Sequence, residues 1–153
     1  MAEVRIRPAT LDDLEILLRF EQGVVEAERP FDPTLREEPI HYYQLPELIA
    51  SPQALVLVAE VEQQVVGSGY ARILAAKPYL KHEQYAYLGF MYVAPAYRGQ
   101  GINGLILQQL TQWAAAQGLT EMRLEVYAHN QPAVRAYEKA GFAAHMLEMR
   151  RAI

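Results

Sequence analysis

The chain has no cysteine, which removes disulfides, thiolate metal sites and any covalent route through a cysteine nucleophile. Its four histidines, His41, His82, His129 and His145, lack paired ligand spacing, so no metal site is expected. No Lys/Arg cluster occurs and the net charge is −4, which argues against nonspecific nucleic-acid binding and against attraction to a membrane surface. Nor is any apolar run long enough for a signal or a membrane span, and the N-terminus carries Glu3, Arg5 and Arg7. A cytoplasmic protein is the expectation by default. No Pro/Gly/Ser-rich break, repeat or low-complexity tract divides the 153 residues, of which 52% are hydrophobic, so one domain over residues 1–153 with a proper core is expected.

The most informative stretch begins at Met91-Tyr92-Val93 and continues through Arg98, Gly99, Gln100, Gly101, Ile102, Asn103 and Gly104. Upstream, Tyr85 to Val93 is almost wholly aromatic and apolar, as suits a buried strand; downstream, Ile102, Leu105, Ile106, Leu110 and Trp113 recur at helical spacing. The glycines therefore fall at a strand-to-helix junction. There, unpaired amide N–H groups and the positive end of the helix dipole face an incoming anion, and residues without side chains let phosphate oxygens approach closely. Arg98 adds a fixed cation at the rim. This is the chemistry of a pyrophosphate cradle for a nucleotide-tailed cofactor.

Gly99-x-Gly101-x-x-Gly104 also matches the dinucleotide-binding fingerprint, with Glu121 or Glu125 roughly 20 residues on as the ribose-binding acid. The surroundings suit it poorly: paired strands precede the loop, and the roughly 50 residues after it are too few for two mononucleotide halves. No Lys-Ser or Lys-Thr follows the glycines, so the Walker pattern is absent. A purely structural glycine turn is the remaining alternative.

Along the chain, Val4 and Ile6 with alternating arginines read as a first strand, and Thr10 with Asp13 forms a capping box for a helix through about Gln22. Residues 23–38 read as loop, and Pro39 to Ala50 as a short helix bent at Pro46. Ala54–Val61 and Val65–Ala75 are strand-like, and the short link Glu62-Gln63-Gln64 makes them an antiparallel pair. Lys77–Glu83 is a polar crossing loop. After a strand at 86–93 and a helix at 102–117 capped by Gly118, Met122, Leu124 and Val126 alternate with Arg123, Glu125 and Tyr127 in a further strand. Asn130 and Pro132 open another helix, Gly141 closes it, and Phe142–Met149 reads as a last strand. The order β-α-α-β-β-β-α-β-α-β describes an α/β protein: one domain on a mixed central sheet.

Arg98-x-x-Gly101-x-Asn103, followed by Asn130-x-x-Ala133-x-x-x-Tyr137-x-x-x-Gly141-Phe142, resembles the GCN5-related N-acetyltransferase (GNAT) superfamily, over roughly residues 54–145. The superfamily's element order is also the order read above. The resemblance implies acetyl-coenzyme A as cofactor, its pyrophosphate on the amides from Arg98 to Gly104 and its pantetheine arm along the strand ending at Val93. One departure is Asn103, where the family usually has Gly or Ala; Asn tolerates tight turn geometry and Gly104 is adjacent. Another is the strand before the loop, where many members place a glutamate but this chain has Tyr87 and Gly89. A water chain through Tyr87, or direct action by another base, replaces it.

An alkyl amine with a pKa near 10.4 is only about one part in 10³ to 10⁴ neutral at pH 7, so acetyl transfer to nitrogen needs a proton acceptor. Glu125 is the candidate base: it shares a strand face with Arg123 and Tyr127, and Leu124-Glu125-Val126-x-x-x-Asn130 resembles the strand of ribosomal-protein alanine N-acetyltransferases that carries a base glutamate. On the residues alone, Glu125 is equally a solvated strand acid. Advancing about 16 Å from Glu125 to Asn130 along a strand and returning about 10 Å along a helix leaves Glu125 and Tyr137 some 6 Å apart along the axis. Tyr137 resembles the family tyrosine that faces the departing thiolate; a helix tyrosine with its ring in the core is the other reading. Asn130 serves either as a helix cap alone or also as a pantetheine contact. Unpaired N–H groups near Met91–Val93 are candidates for the thioester oxyanion. His129 and His41 are lesser candidates for the base.

For the acceptor, residues 21–38 hold six acids, Glu21, Glu26, Glu28, Asp32, Glu37 and Glu38, against Arg29 and Arg36. They suggest a cationic amine, small molecule or peptide, with Glu26, Glu28, Tyr87 and Tyr127 as candidate contacts; a solvated acidic loop is the alternative. Tyr42, Tyr43, Tyr70, Tyr79, Tyr85 and Tyr87 are candidates for an aromatic pocket. The expected activity is acetyl transfer from acetyl-CoA to a primary amine by direct attack in a ternary complex. Two alternatives stand beside it: a non-catalytic acetyl-CoA-binding domain, and an acyltransferase with another donor or acceptor. A homodimer is left open.

Overall fold

The computed structural model describes residues 2–153. Strands β1 (Val4–Pro8), β2 (Ala54–Val61), β3 (Gln64–Ala75) and β4 (Gln84–Val93) pair antiparallel in sequence order, and β5 (Met122–Arg123) joins β4 in parallel. The expected mixed sheet is therefore present. Its faces follow from the alternation within β2. Leu57, Ala59 and Val61 point toward Ile102, Ile106 and Leu110 of α3 (Ile102–Ala116), while Val56 and Val58 point toward Leu17 and Phe20 of α1 (Leu14–Glu28) and Leu45 of α2 (Leu45–Ala50). With helices on both faces, β2 is apolar almost throughout.

The capping box read from the sequence opens the 3-10 turn Leu11–Asp13 that runs into α1: the Thr10 side chain accepts from Asp12 N–H, and Asp13 accepts the Thr10 N–H at 2.8 Å. Asp13 also takes two bonds from the Arg7 guanidinium, each 2.8 Å, and the same guanidinium pairs with Glu60, tying the helix to β1 and β2. The helix outruns its expected end at Gln22 and continues to Glu28, so residues 23–28 are not loop. Leu17, Phe20, Val24 and Val25 extend one apolar stripe past Gly23. Gly23 leaves space for the Tyr92 ring: a Cβ there would lie 2.6 Å from it, so a larger residue would have to displace that ring. The second helix is also shorter than expected. Pro46 occupies its first turn and begins it, where a proline's missing N–H does no harm.

Two strained turns shape the sheet. Glu62 (φ 50°) and Gln63 (φ 68°) make the tight β2–β3 hairpin without the glycine such a turn usually takes. In β4 the register against β3 slips between Ser68 and Tyr70, leaving Phe90 at φ 58° in a bulge. Ser68 is fully buried and its hydroxyl donates to the Phe90 carbonyl at 3.0 Å. Gly69 lies opposite; a Cβ there would meet the Met91 sulfur at 2.5 Å. Such bulges bend a strand and re-aim its remaining residues, here Met91 to Val93.

Past this point the sheet opens. β5 pairs with β4 only at Ala86–Met122 and Tyr87–Arg123, so the strand expected over 122–127 parts from β4 after two residues. The last strand expected at Phe142–Met149 is not formed: the chain beyond α4 (Gln131–Lys139) has no regular structure, and Met146, Leu147 and Met149 are 85%, 71% and 84% exposed. A strand exists only by pairing, and this segment has no partner strand among the described residues. Among those residues no helix is long and apolar enough to cross a membrane, and no cluster of His, Asp or Glu is arranged to hold a metal.

Candidate active site

Where β4 and the chain after β5 diverge lies a cleft of about 410 Å³. Four parts of the chain wall it: Val24, Ala27 and Glu28 of α1; Met91–Val93 and the turn through Tyr97, Arg98, Gly99, Gly101, Ile102 and Asn103; Glu125, Val126 and Tyr127; and Asn130, Ala133 and Tyr137 at α4. Residues more than 100 positions apart in sequence thus share one space. Gln100, Gly104 and Tyr87 lie outside this lining, as does Glu26, whose carboxylate is exposed and paired with Arg29 at 2.9 Å.

The turn is built to present amides. Gly99 and Gly101 adopt φ 77° and 80°, and a Cβ on either would meet nothing within 4 Å, so glycine is there for backbone conformation and leaves open space above the turn. The first helical bond of α3 runs from Leu105 N–H to the Gly101 carbonyl. Among the described residues nothing accepts the N–H groups of residues 99–104, which converge with the positive helix end. Arg98 is held by donating from Nε to the Val93 carbonyl at 2.8 Å, its guanidinium 5.5 Å from the Tyr92 ring centre. From Leu88 to Val93 no strand covers the outer edge of β4, which leaves backbone groups facing the cleft.

On the opposite wall the Tyr87 hydroxyl donates to Glu125 Oε1 at 3.0 Å. Burial, followed by the neighbouring Glu125 charge, pushes the Tyr87 phenol above its ordinary pKa, so it stays a neutral donor that holds the carboxylate in place. Tyr137 enters from α4, its ring edge-on to Phe142 with centroids 5.9 Å apart. Its pKa is raised first by burial and then by the Glu28 charge. Asn130 caps α4, accepting the Ala133 N–H at 3.4 Å, and also lines the cleft. Met122 and Leu124 pack beneath α3 as their alternation implies, whereas Val126 stays 37% exposed.

The Acetyltransferase (GNAT) family profile matches residues 21–142, spanning every wall of the cleft. The chain belongs to that family. It is 31% identical over 150 residues to the thialysine N-epsilon-acetyltransferase of Mus musculus, covering 92% of this chain and 85% of that one. Matches to two bacterial acetyltransferases are local, the chain spanning 36% and 27% of their lengths. Among solved structures, a mutant of the BH1408 protein from Bacillus halodurans superposes with a TM-score of 0.86 at 21% identity, covering 97% of this chain and 99% of that one. A predicted acetyltransferase from Clostridium acetobutylicum, solved with acetyl-CoA, gives 0.71 at 19% identity over 97% and 96% of the two chains.

In this GNAT domain most of the acids at 21–38 are committed elsewhere. Glu21 is fully buried, its carboxylate accepting the Tyr43 N–H at 2.9 Å and lying 2.9 Å from His41 Nδ1. Asp32 accepts from both the backbone and the hydroxyl of Thr34 and pairs with Arg150 at 3.0 Å, which holds its pKa down to about 2. Glu37 and Glu38 are exposed outside the lining. Glu28 alone of the six lines the cleft, and burial raises its pKa. The buried Tyr42 hydroxyl stands beside it. Tyr127, also in the lining, stacks on Phe31 at 6.0 Å and donates to Asp32 at 3.4 Å. The other tyrosines do not form an aromatic pocket: Tyr43 and Tyr70 pack together in the core, Tyr79 is 81% exposed and Tyr85 lies under Arg123. His41 and His129 both lie outside the lining.

Proposed function

We propose that the chain transfers an acetyl group from acetyl-CoA to the primary amine of a cationic acceptor, by direct attack within the cleft. The observation that carries this reading is the shared lining of the glycine turn, Glu125 and Tyr137. The open amides of residues 99–104 with Arg98 suit a pyrophosphate, the free edge of Met91–Val93 suits the amides of a pantetheine arm, and Asn130 stands beside that path. When bound, the cofactor supplies an acetyl group activated as a thioester. Glu125, held by Tyr87, takes the proton from the amine as nitrogen bonds to the acetyl carbon and the carbon–sulfur bond breaks. The Tyr137 hydroxyl donates to the departing sulfur. Complete transfer from a phenol near pKa 10 to a thiolate near 8.5 is uphill by about 2 kcal/mol, and the raised pKa of Tyr137 steepens the climb. Its role is therefore to stabilise charge.

Glu28, with Tyr42 and Tyr127 around it, is the natural seat for the acceptor's positive charge, and that placement favours a diamine, a basic amino acid or a basic peptide terminus. The test is release of free coenzyme A thiol with a panel of polyamines, amino acids, aminoglycosides and N-terminal peptides, with the acetylated nitrogen identified by mass spectrometry. Turnover only with cationic amines supports the reading; tight acetyl-CoA binding with no acetylated product from any member supports a non-catalytic binding domain.

A further inference from the structure

Glu21 is a fully buried carboxylate that the proposed chemistry does not use. Its two oxygens are divided between the residues on either side of Tyr42: Oε1 lies 2.9 Å from His41 Nδ1, and Oε2 accepts the Tyr43 N–H at 2.9 Å. One acid thus brackets one tyrosine. Gln22 and Arg29 also bind this loop, but through the carbonyls of Ile40, Arg36 and Glu37, all on the same side of Tyr42. On the other side the Tyr43 ring packs 4.8 Å from Phe90 and 5.6 Å from Tyr70, which seats it in the core. His41 has no such anchor. Its side chain is 65% exposed and, among the described residues, is bonded to Glu21 alone.

The same helix carries Glu28, seven residues on from Glu21, which is two turns and about 10 Å along one face of α1. The Tyr42 hydroxyl is buried beside it, and burial followed by Glu28 pushes that phenol above its ordinary pKa. Tyr42 therefore reaches from one acid to the other, its backbone held at Glu21 and its hydroxyl at Glu28. A buried carboxylate is costly to desolvate, and an apolar side chain of similar volume often serves stability as well or better. Core stability alone gives no reason for an acid at 21. We propose that Glu21 and His41 are positioning residues for the acceptor, setting its affinity by fixing Tyr42 against Glu28. This rests on the reading of Glu28 as the seat of the acceptor's charge.

Glu21→Leu removes both bonds while keeping the buried space filled, so the melting temperature should stay at or above wild type. KM for a cationic amine should rise about tenfold, with kcat and calorimetric affinity for coenzyme A unchanged. His41→Ala, at an exposed side chain that does not endanger the fold, should raise KM about threefold, and His41→Asn, whose amide nitrogen replaces Nδ1, should restore it. Combined with Tyr42→Phe, Glu21→Leu should raise KM no further than the larger single effect. An unchanged KM, a fall in kcat instead, no rescue by His41→Asn, or additive effects in the double variant would each overturn the inference. One readout needs no turnover: nuclear magnetic resonance of isotope-labelled tyrosine should show the Tyr42 phenol ionising near its ordinary value of about 10 in Glu21→Leu and only at higher pH in wild type. Equal titration in the two would overturn the inference. Release of Tyr42 in a chain that acetylates no amine would uphold the Glu21 latch and refute the acetyl-transfer reading instead.

Discussion

Tyr87, in the last residue pair of β4 and β5, meets Glu125, two residues past that pair, across 3.0 Å. The hydrogen bond spans the point at which the sheet splits, so the proposed base is held by the strand that also carries Met91–Val93 toward the glycine turn. Glu125→Gln should lower kcat by on the order of 10² to 10⁴ and remove the acidic limb of the kcat/KM profile against pH. Tyr87→Phe should give a smaller loss and a displaced limb. A profile unchanged by Glu125→Gln would place the base elsewhere.

Tyr137→Phe keeps the ring against Phe142 and deletes only the hydroxyl. Turnover is expected to fall by on the order of 10², while calorimetric affinity for coenzyme A stays near wild type. A wild-type rate would remove Tyr137 from the chemistry.

Glu28 has a raised pKa, first because of burial, so its ionised form is disfavoured in the folded state and costs stability above the native pKa. Glu28→Gln should therefore raise the melting temperature at neutral pH while increasing KM for cationic acceptors about tenfold, a change of about 1.4 kcal/mol in binding. Stabilisation without loss of acceptor affinity would separate Glu28 from the site.

Asp13 has its pKa lowered, chiefly by the Arg7 hydrogen bonds. The unfolded chain takes up a proton near pH 3.9 and the folded one only at lower pH, so the contribution is complete above the unfolded value and is lost as pH falls through the native one. Asp13→Asn should cost about 2 kcal/mol at neutral pH and flatten the acid end of the stability curve measured by urea unfolding.

Much of the architecture could be read from the sequence because local signals agreed with tertiary ones: Thr10 and Asp13 cap as expected, Gly118 (φ 81°) ends α3, and Asn130 with Pro132 opens α4. Where the sequence misled, a local signal was overridden by packing. Residues 23–38 read as loop, but α1 runs on past Gly23, which makes room for the Tyr92 ring; Pro46 reads as a bend but starts a helix. The bulge at Phe90 had no sequence mark beyond Gly69, whose need becomes visible only when Met91 is seen against it. The turn, Glu125, Tyr137 and Glu28, proposed from residue type, spacing and family resemblance, share the lining of one cleft. Tyr42 could not be tied to Glu28 by pattern, because the loop that carries it is held back against α1 by long-range bonds from Glu21, Gln22 and Arg29. The tail has a strand's alternation and lacks a partner within the chain, a distinction that pattern alone does not draw.

The turn also offers a way to separate conformation from binding. Gly101→Ala places a Cβ at φ 80° where the protein itself offers no obstruction, costing about 1–2 kcal/mol of stability. The most direct measurement is calorimetric titration of acetyl-CoA into the wild-type chain and into Gly101→Ala. Saturable binding by wild type that weakens by tenfold or more in the variant, with the melting temperature reduced only slightly, is the result expected. No heat of binding in wild type, or equal affinity in both, would contradict the central claim that these amides grip the cofactor.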